Sequence, residues 1–134
     1  MSDTATRLRT HLLNDSSIAA IVGTKVHQSH VPQSAAPPYI WYQRSSTGGP
    51  VTLDGGVASD FEQFYDVECV SEDLDDMQSL VGLVKSRLHC HRGTFGDGTI
   101  KGAFVEDHSD DYIPRSVSDD SVAHVGAVRV QIIA

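Results

Sequence analysis

The chain has 134 residues, with 10 Lys and Arg against 18 Asp and Glu, for a net charge of −8 with neutral histidines. Its 40% hydrophobic and 21% charged residues, with ordinary Gly and Pro usage, fit one folded domain and exclude a collagenous, disordered or disulfide-framework chain. The negative balance disfavours nonspecific attraction to nucleic acid phosphate, and no apolar run approaches the ~18 residues of a membrane span. In chain order, Ser2 caps a first helix on which Ala5, Leu8, Leu12 and Leu13 fall near one face. Met1 to Leu13 carries Asp3 and no apolar run of signal-peptide length, so export is disfavoured. Ser16 caps a short second helix that buries Ile18, Ile21 and Val22 and stops at Gly23. Lys25 to Val31 is extended, and Pro32 with Pro37-Pro38 bars helix beyond it.

Tyr39-Ile40-Trp41-Tyr42-Gln43-Arg44 is apolar on both alternations, as in a central strand or one with a face against a partner. Ser45 to Gly56, rich in Gly and hydroxyls, forms the mobile tip of a long hairpin whose second arm runs from Val57 to Val70. In that arm Phe61, Tyr65, Val67 and Cys69 share one face, and Glu62, Asp66 and Glu68 lie opposite, interrupted by Phe64 and Val70. Carboxylates and a cap in Ser71 to Asp76 open the main helix, Asp73 to Cys90, with the stripe Leu74, Met77, Leu80, Val81, Val84, Leu88. Gly93 to Gly98 is a turn, Thr99 to Val105 a strand, Glu106 to Ser121 an acidic loop, and Val122 to Ile133 a closing strand. The implied fold is α+β: a single mixed, mostly antiparallel sheet packed against one main helix, with a short helical N-terminal arm, in the order α-α-β-β-β-α-β-β.

The chain lacks a phosphate loop with its Lys, a nucleophile-elbow Ser and a paired-Cys motif, so no catalytic, metal or cofactor site is assigned and the protein is not read as an enzyme. Cys69 and Cys90 are too few for a secreted framework and read as reduced thiols in a cytosolic compartment. His89-Cys90-His91 resembles ligand material, but helical neighbours two apart point about 200° from each other and do not share one tetrahedral metal. Asp107-His108-Ser109-Asp110-Asp111 offers oxygens to a hard cation without an EF-hand spacing, and a solvated loop is the simpler reading. Asp60 to Asp76 holds eight carboxylates and no cation.

Pro37-Pro38-Tyr39-Ile40-Trp41-Tyr42-Gln43 is similar to the Pro-Pro-Tyr-hydrophobic-x-Tyr-Gln strand of the tail completion, or tail terminator, family of long-tailed phages and related gene transfer agents. Asp15, Ile18, Ile21, Val22 and Gly23 resemble that family's Asp-x-x-Ile-x-x-Ile-Val-Gly turn, and the downstream elements follow the same order. The resemblance spans nearly the whole chain, 1–134, as one domain. It implies a structural virion protein, assembled in the host cytoplasm and placed at the neck. There, the resemblance implies, it forms a six-membered homo-oligomeric ring that caps the tail tube, meets the tail tube protein and the head connector, and lets DNA pass without specific binding.

Within that frame Thr47, Gly48, Gly49, Pro50, Leu53 and Asp54 are candidate tube or neighbour contacts. Asp107, Asp110, Asp111 and Tyr112 are candidates for an acidic neighbour or channel loop, and Pro38, Tyr39, Trp41, Tyr42 and Gln43 form the family-like strand. If the run Asp60 to Asp76 lined the channel, it would repel DNA from the wall. The nearest alternative is another neck ring, such as a head-closure connector. A more distant one is a small-ligand-binding domain or hydrolase built on His27, His30 and Asp66.

Overall fold

The computed structural model describes residues 4–29, 37–48, 62–114 and 122–133. Within them run α1 (Thr4–Leu13), α2 (Ser16–Val22), β1 (Val26–Gln28), β2 (Tyr39–Gly48), β3 (Glu62–Ser71), α3 (Leu74–Leu88), β4 (His91–Phe95), β5 (Gly98–Pro114) and β6 (Val122–Ile133). The strands form one mixed sheet in the order β1-β2-β3-β6-β5-β4; β1 runs parallel to β2 and every other pairing is antiparallel. The α+β class and single sheet agree with the sequence reading, but the order gains a strand, β4. Its five residues begin just past the expected end of the main helix, Cys90, and run into the expected turn from Gly93. The helix stops at Leu88, His89 caps it, and Cys90 takes φ 60°, which turns the chain directly into an antiparallel pair with β5.

A second correction concerns the acidic segment. Residues 106–114 are strand, paired with β6 as far as Pro114↔Val122, and the remainder of the expected loop lies outside the described residues. Asp, Ser and His are poor strand formers, but a long apolar neighbour that needs its backbone groups paired overrides that local preference. The β2–β3 hairpin is present in register from Tyr39↔Val70 to Gly48↔Glu62, and its expected mobile tip and Phe61 lie outside the described residues.

The helices cover one face. On α3, Met77, Leu80, Val81, Val84 and Leu88 are buried against Tyr65, Val67, Cys69, Val128, Val130 and Ile132, each contributing about 1.5–3 kcal/mol as an upper figure. Leu74, the expected first member of the stripe, is 44% exposed because it sits at the first helical position, beyond the edge of the core. The cap of α2 is Asp15 rather than Ser16: its Oδ1 accepts from the Ser17 and Ile18 amides at 2.8 and 3.4 Å. Gly23 ends that helix at φ 65°, as expected. The expected cap of α1, Ser2, lies outside the described residues.

Helix α1 touches both edge strands, β1 and β4. Arg7 reaches the β4–β5 turn, where its Nε lies 2.9 Å from Asp97 Oδ1. That approach requires Gly96: its φ is 63°, and an added Cβ would lie 2.9 Å from the Arg7 carbonyl oxygen. Farther along α1, His11 is 2% exposed, with Nε2 3.3 Å from the Arg87 carbonyl oxygen and its ring 4.4 Å from His91 and 4.6 Å from Phe95.

Burial, and beyond it the nearby Arg87 and His91, hold His11 down at about 4. Because the folded value lies below the unfolded 6.5, the unfolded chain binds the proton more readily. Stability is therefore complete above pH 6.5 and falls as pH drops from 6.5 towards 4, by about 3 kcal/mol in all. Urea titrations between pH 7.5 and 5 should show this slope in the wild type and a flatter one in His11→Gln; parallel slopes would refute it.

Candidate functional site

Among the described residues no helix covers the other face of the sheet, and its strand registers align side chains in rows. One row is His27, Trp41, Glu68, Ala127 and Ser109; the next is Gln43, Asp66, Arg129 and Asp107. Tyr39, Val70 and Val125 flank them on one side, and Phe64, Gln131 and Phe104 on the other. Alternation produces this surface directly, since each strand that sends Ile40, Tyr65 or Val130 into the core turns the next residue outwards. The middle is polar and acidic, with apolar borders: Val70 and Val125 pack with Tyr39 and Trp41, and Phe104 is 40% exposed.

Between the borders lies a groove of about 340 Å³ lined by Trp41, Gln43, Asp66, Glu68, Asp107 and Arg129 among others. Partial burial raises the Glu68 carboxyl above its usual range; a Trp41 hydrogen bond opposes the rise and the Asp66 charge adds to it. Arg129, a cation within this acidic middle, is turned partly elsewhere, with its guanidinium 5.0 Å from the Phe64 ring centre and Nε 3.5 Å from Glu106 Oε2.

The family-like strand is thus divided: Tyr42 goes to the core, whereas Tyr39, Trp41 and Gln43 face the open side. Of the proposed acidic loop, Asp107 joins the open face, and Asp110 lies on the helix side with its Oδ1 2.6 Å from His108 Nε2. His108 Nδ1 is in turn 2.6 Å from Lys85 Nζ, which ties β5 to α3. Asp111 and Tyr112 belong to β5, and Thr47 and Gly48 end β2. Gly49, Pro50, Leu53 and Asp54 lie outside the described residues, as does His30.

The eight-carboxylate run does not form one patch. Asp66 and Glu68 face the groove, Glu72, Asp73, Asp75 and Asp76 gather exposed at the start of α3, and Asp60 lies outside the described residues. The histidines at the end of α3 also separate: His89 Nδ1 accepts from the Val105 amide at 3.1 Å, and His91 turns to His11 and Phe95. Among the described residues no His, Cys, Asp or Glu group is arranged to hold a metal ion, and no helix is long and apolar enough to cross a membrane. His27 does not line the groove that Asp66 lines, so these two do not converge on a pocket. Both cysteines are free, and burial pushes the Cys69 thiol up to about 12.

The sequence reading identified Trp41, Gln43, Asp66 and Asp107 separately without assembling them, since their meeting depends on β6 lying between β3 and β5. It missed Arg129 and Phe104 as members of the surface; their signal was the alternation in the two last strands. The family model described as tail completion protein gp17 matches residues 6–133. A chain in a solved structure described as the virion of a native gene transfer agent particle has a similar fold, with TM-score 0.66 at 15% identity, covering 95% of this chain and 92% of that one. No curated protein matches this sequence.

Proposed function

Because the chain belongs to the tail completion protein gp17 family, we propose that it assembles into a six-membered ring that caps the finished tail tube and joins it to the head connector. Family membership makes it a structural component of a phage-type tail, and the match over almost the whole chain is the observation that carries the reading. It acts as one domain, through shape and self-association rather than catalysis. A ring needs two unlike surfaces on each subunit, related by a rotation that closes, and the open acidic face and the helix-covered side supply unlike surfaces. The net charge of −8 supports passage of DNA through the ring without retention, since counterion release from phosphate requires cations. Its partners are then the tail tube protein, the head connector and further copies of itself, with the β2–β3 hairpin tip and the β5–β6 end as candidate contact regions.

Electron microscopy of particles made without this gene tests the proposal. Over-long tails lacking heads are expected, because tube growth would have lost its stop. Normal-length tails detached from heads would reassign the protein to the connector side of the neck, and normal infectious particles would overturn the assembly role.

A further inference from the structure

We propose that α1 is an acid-releasable arm: protonation of His11 detaches this helix from β4 and α3 and leaves the sheet and the main helix in place. This is a property of the single subunit and does not depend on the ring reading above.

The packing around His11 supplies the trigger. Its ring is 2% exposed and is enclosed between its own helix, the last turn of α3 and β4. The two helices are joined there reciprocally: Arg87 Nε donates to the His11 carbonyl at 3.1 Å, and His11 Nε2 lies 3.3 Å from the Arg87 carbonyl oxygen. Nε2 can serve that oxygen only as a donor, so Nδ1 is the nitrogen that carries no proton in the neutral ring. A proton added at Nδ1 creates a buried cation beside a guanidinium and a second imidazole. The His91 ring, 4.4 Å away, is held by its own contact of 2.7 Å between Nε2 and the Thr94 carbonyl oxygen. The Phe95 ring, 4.6 Å away, accepts no hydrogen bond from the new N–H, and attraction of a cation to its face offsets only a small part of the cost.

The charges on the surrounding elements do not compensate. On α1 itself, Arg7 lies one turn earlier and is paired with Asp97 of the β4–β5 turn, and Arg9 reaches towards β1 through the Val26 carbonyl. Arg87 of α3 and His91 of β4 both oppose a charge on His11, and α2 has no charged residue. Asp15, at the α1–α2 junction, favours the charged ring but already accepts the Ser17 and Ile18 amides as the cap of α2. Burial adds most of the penalty, and His11 is accordingly held down at about 4.

The topology localises the response. α1 is the first described element and takes no part in the sheet, so it can leave without breaking a strand pairing. The Asn14-Asp15 junction is the hinge, and α2 stays packed on α3, which keeps its own contacts with β3 and β6. The arm has ten residues, fewer than the ~12–15 that an isolated helix needs in water, so once released it unwinds and its amides exchange.

Peptide-resolved hydrogen exchange by mass spectrometry on the full chain, corrected for intrinsic rates, tests this. Between pH 7 and 4.5 the opening of residues 4–13 should rise roughly fiftyfold, at free energies below those that govern α3. His11→Gln, with thermal melting as its folding control, should flatten that rise. Tyr42→Phe removes the hydroxyl that donates to the Ala5 carbonyl, and should raise α1 opening roughly fivefold at every pH without changing the slope. Exchange of α1 in step with α3 at each pH would overturn local release, because the helix would then leave only with global unfolding. A wild-type opening that does not change with pH, or a slope that persists in His11→Gln, would overturn the trigger. Titration of the His11 ring signals in the wild type decides the same point without a variant: a midpoint at the ordinary 6.5 would also overturn it.

Discussion

Tyr42→Ala should lower the unfolding free energy by about 3–5 kcal/mol in urea titration, a large part of the ~5–15 kcal/mol that a domain of this size possesses. Tyr42 is fully buried, and its ring meets Tyr65 edge-on at 6.1 Å with a 70° interplanar angle. Its hydroxyl donates to the Ala5 carbonyl of α1, so the side chain links a strand of the sheet to the helix laid across it. Truncation leaves a cavity that Ile40 and Val67 cannot fill without moving β2, and it also frees α1 from that strand. Tyr42→Phe keeps the ring and removes only the hydroxyl, and should cost about 1 kcal/mol. A loss below about 1.5 kcal/mol in the alanine variant would show that the core collapses around the site. Equal losses in the two variants would show that the hydroxyl, not the ring, holds α1 in place.

Gly126→Leu should prevent native packing altogether, leaving insoluble protein or a state without cooperative unfolding. At Gly126 the main helix rests directly on β6: an added Cβ would lie 2.3 Å from Val81 Cγ2 and 2.8 Å from Met77 Sδ. Met77 has rotamers with which to yield, but Val81 is β-branched, 2% exposed and held in one rotamer by its own helix. A single methyl, as in Gly126→Ala, should therefore cost about 1–3 kcal/mol through overpacking. Shortening the opposing residue at the same time, with Val81→Ala, should recover part of that loss. Soluble Gly126→Leu with a native melting profile would mean that α3 stands farther from the sheet than this contact requires.

Particular residues show how far the sequence disclosed this arrangement and where it stopped. The stripe from Met77 to Leu88 was legible because five buried side chains repeat at helical spacing, a purely local signal. The two-sided apolar character of Tyr39 to Tyr42 was legible for a similar reason, and β2 is an interior strand, with Ile40 and Tyr42 in the core and Tyr39 and Trp41 half-buried on the other face. Residues 106–114 misled because their composition is that of a solvated loop, whereas their conformation is imposed by the pairing groups of β6. Nothing local to α1 marks His11 for burial; only the arrival of His91 and Phe95 from the far part of the chain encloses it. The candidate surface stayed hidden for the same kind of reason. Trp41, Asp66, Arg129 and Asp107 come from four strands, and their adjacency is a property of strand order that no local pattern records.

That strand order also governs when a newly synthesised subunit becomes usable. β6 follows β5 in the chain yet lies between β3 and β5, so until residues 122–133 leave the ribosome the sheet exists at best as two unjoined parts, β1-β2-β3 and β5-β4. Each part then presents an unpaired inner edge, and α3 has half its floor missing. Such long-range closure is slow relative to helix formation, because distant segments must be brought together before any contact rewards it. A chain interrupted before β6 therefore lacks both the core under α3 and the Arg129 row of the open face. Translation fragments would be handled by chaperones and proteases as unfolded polypeptide, and a truncated copy would be excluded from assembly by its inability to fold, with no separate proofreading step.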